Sequence, residues 1–70
     1  MAREAIVHKV SSYELHGVPY YQIAVSYSDD PDSLREIRIS HDSIYGNPSA
    51  GDRIVVDMIL NVVTGVRKKT

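Results

Sequence analysis

Tyr21, Ile23, Val25 and Tyr27 alternate with Tyr20, Gln22, Ala24 and Ser26. A period of two is the signature of a β-strand with one buried face, and a helix with its period of 3.6 does not produce it. The predicted strand spans residues 18–27. Pro19 has no N–H for a ladder, so it belongs at the strand's start or on a sheet edge. Ahead of it, His16-Gly17 interrupts an earlier apolar stretch, and Gly17 takes positive φ without steric cost, which suits a hairpin turn. Before that turn, residues 4–15 carry Ile6, Val7, Val10, Tyr13 and Leu15. Their alternation changes parity midway, and a bulge near His8-Lys9 reconciles the two halves.

The later segments are less regular. Residues 28–33, Ser-Asp-Asp-Pro-Asp-Ser, read as a loop, because Asp and Ser bond their own backbone and Pro fixes φ. Residues 34–40 admit two readings. Ser33-Leu34-Arg35-Glu36 matches a helix capping box, whereas Ile37 and Ile39 alternate with Glu36, Arg38 and Ser40. The strand is favoured, because an isolated hairpin is marginal and a third strand continues it. Residues 41–46 predict one helical or 3₁₀ turn, with Ser40 or Asp42 as cap and Gly46 as stop. Asn47-Pro48 and Ala50-Gly51-Asp52 mark turns. Residues 53–63 form one long strand or a pair of strands. Their interior leaves only Asp57 and Asn61 polar, which implies burial on both faces. Thr64-Gly65 is a turn or bulge before Val66, and residues 67–70 are a basic, solvated tail.

The chain has 70 residues, so residues 1–70 make one domain. A chain this short buries roughly 60% of the surface it exposes when unfolded, and such domains often add disulfides, metals or association. It has no cysteine, which excludes disulfides and thiolate zinc sites. Association is the route that remains. The hydrophobic fraction of 43% and the charged fraction of 24% are ordinary for a globular protein. The net charge of −1 lacks the basic excess of a dedicated nucleic-acid binder. No stretch approaches the ~20 apolar residues of a membrane helix, and Met1-Ala2-Arg3-Glu4 lacks the apolar region of a signal peptide. A cytoplasmic location is expected.

Three strands, a short turn and one or two more strands make an all-β domain. The expected architecture is a small five-stranded barrel, OB-like or SH3-like, with one short helical turn before the fourth strand. Closure would remove the exposed edges of so small a sheet. Four features carry a resemblance: the opening strand Ala5-Ile6-Val7, the turn Leu15-His16-Gly17-Val18-Pro19, the strand Tyr20 to Tyr27, and Gly51-Asp52-Arg53-Ile54-Val55-Val56. In their order the chain resembles the small OB-like barrels found in or near bacterial membrane proteins, such as the NfeD-type barrel. The resemblance implies a fold and carries no functional residues.

The candidate chemistry is sparse. OB folds stack bases on aromatic rings beside basic groups, and Tyr13 and Tyr20, with Arg35, Arg38 and Arg53, are the residues available for that. Tyr21 and Tyr27 lie on the inward parity and are expected in the core. His8, His16 and His41 fall in separate segments, which does not suit a zinc site. Asp29, Asp30 and Asp32 are broken by Pro31 and lack the glycine and distal Glu of a calcium loop. No nucleophile elbow or Gly-rich phosphate loop occurs, so neither an enzyme nor a metal or cofactor is expected.

The apolar run 54–63 is the least ordinary feature. Val55, Ile59 and Val63 occupy the parity opposite to Ile54, Val56, Met58, Leu60 and Val62. Either the chain bends within Met58–Asn61, or an outer face is covered by another subunit. The leading expectation is a non-enzymatic binding or assembly module with a protein partner, or a second copy in a homodimer, on Val55, Ile59 and Val63 with Tyr20 nearby. The alternative is an oligonucleotide-binding barrel.

Overall fold

The computed structural model describes residues 2–69. The elements are β1 (Ala2–Leu15), β2 (Val18–Tyr27), β3 (Asp30–Ser40), a 3₁₀ turn (His41–Ser43), β4 (Arg53–Ile59) and β5 (Val62–Lys68). They form an antiparallel five-stranded sheet in the order β3-β2-β1-β4-β5. β1 is its axis, pairing with β2 on one side and with β4 on the other.

The first hairpin follows the sequence closely. His16 and Gly17 have φ of 52° and 80°, the pair of positive values a two-residue type I′ turn requires. The register shifts between Val7 and Lys9, so a bulge sits at His8. The next connection is shorter than the predicted loop over 28–33. Tyr27 pairs with Asp30, leaving only Ser28 and Asp29 as the turn. Pro31 falls within a register shift on an edge strand, where its missing N–H breaks no ladder bond. Residues 34–40 are strand, with Ile37 and Ile39 buried. The 3₁₀ turn sits where expected, and Ile44 rather than Gly46 ends it.

The run 54–63 is a hairpin rather than a strand buried on both faces. Leu60 and Asn61 turn the chain with φ of 51° and 66°. Ile54 and Val56 point into the core, while Ile59, Leu60 and Val62 are exposed at the tip. Thr64 is the extra residue of a second bulge, opposite Asp57-Met58. The predicted basic tail is largely strand. β5 extends through Lys68, which pairs with Ile54 in the ladder, and Arg67 donates to both Asp57 carboxylate oxygens, at 2.9 and 3.1 Å. The Lys69 N–H donates to the Arg53 carbonyl at 2.8 Å, and its ammonium pairs with Glu4. Residue 70 lies outside the described residues.

The core draws on every strand: Ala5 and Val7 from β1, Ile23, Val25 and Tyr27 from β2, Ile37 and Ile39 from β3, Ile54 and Val56 from β4, and Val66 from β5. Ile44 completes it and makes a parallel bridge to Val66. Each buried valine or isoleucine side chain contributes roughly 1.5–3 kcal/mol. A flat sheet could not share one core between its outermost strands, so the sheet curls until β3 and β5 approach one another. Among the described residues no ladder joins them, and the sheet is open along that seam. No described helix is long and apolar enough to cross a membrane.

Candidate functional site

The seam is where the surface departs from a plain sheet. Between β3 and the β4–β5 hairpin lies a cleft of about 340 Å³. Tyr27, Ile37 and Val63 give it an apolar floor, and Arg3, Arg35, Met58 and Asn61 form its walls. A hollow of about 540 Å³ adjoins it toward the β2–β3 turn, lined by Arg3, Asp29, Met58, Leu60 and Asn61. Arg3 stands at the junction. Its guanidinium lies 3.8 Å from the centroid of the Tyr27 ring and donates to Asp29 Oδ1 at 2.7 Å. That bond raises the Arg3 pKa and lowers that of Asp29, while burial pushes the Tyr27 hydroxyl up. The junction therefore carries a fixed, internally balanced ion pair beside apolar surface. Such a site accepts an aliphatic or aromatic side chain more readily than a free ion.

The hairpin tip forms the lip of this hollow. Ile59, Leu60 and Val62 are 64%, 92% and 63% exposed. Leu60 also sits in the left-handed region, which costs an ordinary residue roughly 1–2 kcal/mol. Neither burial nor backbone preference accounts for a leucine there.

The sequence-derived interface residues separate on this frame. Ile59 belongs to the tip. Val63 is half-buried against the core and faces the cleft. Val55 is half-buried and pairs with Glu4 and Arg67, on the face opposite Ile54 and Val56. Tyr20 is not with them. It pairs with Tyr13, nine positions along β1 from Glu4, or roughly 30 Å of strand. Leu60 and Val62, exposed beside Ile59 at the hairpin tip, share the sequence parity of the core residues Ile54 and Val56. The signal available was Asn61, a residue that tolerates positive φ.

The nucleic-acid candidates gather in part. Tyr13 and Tyr20 stack at 5.6 Å between centroids and 14° between planes. Arg38 pairs with Gln22, next along the same outer face, and Lys9, Ala24 and Glu36 form the row beyond. Arg53 pairs with Ile6 farther along. Arg35 instead lies at the seam, 3.8 Å from Asp30. Glu36 interrupts the cations, so the face is of mixed sign.

The histidines stay apart. His8 Nε2 lies 2.7 Å from Ser26 Oγ across the bulge, whereas His16 is in the hairpin turn and His41 in the 3₁₀ turn. Among the described residues no three His, Cys, Asp or Glu side chains gather as metal ligands. The loop before β4 is fastened by Asp52, whose Oδ2 accepts from Tyr45 Oη at 2.7 Å and from the Ser49 N–H at 2.9 Å. These bonds lower the Asp52 pKa, and burial with the same carboxylate raises that of Tyr45. The loop docks on β1 through Gly51 N to Val7 O at 2.7 Å and Val7 N to Asp52 O at 2.9 Å. Comparison with protein-family models, curated proteins and solved structures returned no match to this chain.

Proposed function

We propose that the domain is a non-enzymatic binding module that docks a protein partner on the β4–β5 hairpin end. Ile59, Leu60 and Val62 make the first contact, and the hollow beside Arg3 and Met58 receives an apolar side chain of the partner. The observation that carries this reading is Leu60, nearly fully exposed in a backbone conformation unfavourable to leucine. A residue that costs stability and packs on nothing of its own chain is explained by contact with another. Val63 lies on the floor of the adjoining cleft, and Val55 and Tyr20 lie outside the site. The fold is proposed to be a partly open OB-like barrel. The β1 pairing with both β2 and β4, the short turn between β3 and β4, and the core shared by β3 and β5 support that assignment.

The test is capture by the immobilised domain, comparing wild type with Leu60→Asn and Tyr20→Ser. A partner held by wild type and Tyr20→Ser but lost from Leu60→Asn supports the site. An identical set on all three removes it. The stacked Tyr13–Tyr20 pair beside Arg38 supports a second reading, single-stranded oligonucleotide binding on the outer face. It predicts binding that weakens steeply with salt and is lost in Tyr20→Ser. No binding of mixed DNA and RNA oligomers at low salt removes it.

A further inference from the structure

Two arginines occupy core-face positions at the open end of the sheet. Cross-strand partners share a face. Arg3 pairs with Val56 and Arg35 with Val25, and both valines are fully buried. Arginine on the face of a sheet that carries the core is uncommon unless it is paired. Arg3 is accounted for by the Tyr27 ring and the Asp29 carboxylate. Arg35 is not. Its ion-pair partner among the described residues, Asp30 Oδ2, is 3.8 Å away, beyond hydrogen-bond reach. No described residue accepts a hydrogen bond from the Arg35 guanidinium.

We infer that the cleft beside Arg35 binds a small carboxylic acid with a compact apolar body. The cleft volume of about 340 Å³ lies at the low end of small-molecule sites, which run roughly 300–1,000 Å³. Its floor of Tyr27, Ile37 and Val63 takes the apolar body. The Arg35 guanidinium takes the carboxylate as a two-pronged donor. A second donor stands on the same wall. Leu15 and Val18 flank a two-residue turn and exchange both bonds. Tyr20, Gln22 and Ala24 therefore bond to β1, and Tyr21, Ile23 and Val25 bond to β3. Arg35 and Ile37 then bond to β2, and the Glu36 N–H is directed to the seam, where no described strand pairs with it.

Charge selects an anion. Asp29 is held by Arg3. Glu36 pairs with Ala24, so its carboxylate lies on the outer face, away from the cleft. That leaves Asp30, and a carboxylate at hydrogen-bond distance competes well with a contact of 3.8 Å. A cation in the same place meets both Arg3 and Arg35. The site is separate from the partner contact, because Leu60 lines the hollow and not the cleft.

Two-dimensional NMR of the isotope-labelled domain, titrated with phenylacetate at neutral pH where carboxylates are ionised, tests this. The amides of Tyr27, Ile37 and Val63 should shift. The dissociation constant should lie in the roughly 0.1–10 mM range of a ligand with about ten non-hydrogen atoms. Phenylacetamide keeps the body and lacks the charge, and acetate keeps the charge and lacks the body. Each should bind at least about fivefold more weakly than phenylacetate. Arg35→Gln should weaken phenylacetate at least about fivefold and leave phenylacetamide unchanged, with a dispersed spectrum showing that it folds. Arg38→Gln on the outer face and Leu60→Asn at the hairpin tip should bind phenylacetate like wild type. Equal affinity for phenylacetate and phenylacetamide overturns the inference. So does an Arg35→Gln that binds phenylacetate like wild type, or the lack of a saturable shift at tens of millimolar. A blocked dipeptide ending in phenylalanine that binds at least about tenfold tighter than phenylacetate, a gain that needs contacts beyond the cleft, would assign the site to a chain terminus and overturn the small-molecule reading.

Discussion

Replacing Leu60 with asparagine should make the domain more stable. The left-handed conformation costs an ordinary L-residue about 1–2 kcal/mol. Asparagine tolerates it better because its short amide bonds the local backbone. Little is lost in exchange, since Leu60 is 92% exposed and buries almost no surface. Asparagine is also a favoured residue at the first central position of a type I′ turn. The net gain is about 0.5–1.5 kcal/mol. A domain of this size shifts its Tm by roughly 4–8 °C per kcal/mol, so the melting temperature should rise by roughly 2–12 °C. Thermal unfolding followed by far-UV circular dichroism measures this, and urea unfolding should show a higher midpoint at unchanged slope. A lower Tm for Leu60→Asn would refute the reasoning, because it would mean that the side chain packs on its own domain. A higher Tm together with lost partner capture would show that leucine serves contact at the expense of folding.

Acid should weaken the domain in a defined window. Arg3 holds Asp29, Ser40 holds Asp42, the Tyr45 hydroxyl holds Asp52 and Arg67 holds Asp57, each below the usual carboxylate range. The unfolded chain, with carboxylates near pH 3.9, binds more protons than the native state just below that value. Stability should therefore be full above about pH 5 and fall as the pH drops through about 4. A urea midpoint unchanged between neutral and strongly acidic buffer would contradict this. Core and surface should also separate. Ile23→Ala, at a site with 0% exposure, should cost about 2–5 kcal/mol, a large share of the roughly 3–10 kcal/mol expected for the whole domain. Leu34→Ala, at 66% exposure, should stay within about 0.5 kcal/mol of wild type. Equal urea midpoints for the two would show that burial does not set their contributions.

Local pattern revealed the strands whose two faces differ. Residues 18–27 alternate because one face packs against Val7, Ile37 and Ile54 while the other meets water, and the parity change at His8 is the bulge itself. The His16-Gly17 turn announced itself because positive φ selects glycine. A bend within Met58–Asn61 is one of two readings of the apolar run and is where the chain turns, but Leu60 does not mark the turn, because leucine carries no turn signal and its apolar neighbours extend the appearance of a strand. Pro31 suggested a loop by the same local logic, although an edge strand with a register shift tolerates it. The distance between Tyr20 and Val55 was not legible at all. It depends on which strands neighbour β1 and in which register, and those pairings join residues far apart in the chain. For the same reason the cleft at Arg3 and Tyr27 had no sequence signature.

The double role of β1 bears on how the domain assembles. Its contacts with β2 close a short loop, and β3 extends that meander locally. The pairing of Ala2–Ile6 with β4 closes a loop that contains the whole of β2, β3 and the connection to β4, and such closure carries the larger entropic cost. The meander and the β4–β5 hairpin are therefore expected to form as two units that dock through the first residues of β1. Amide protons at that junction should then report the encounter of the two units, while those around His16-Gly17 report only the local hairpin.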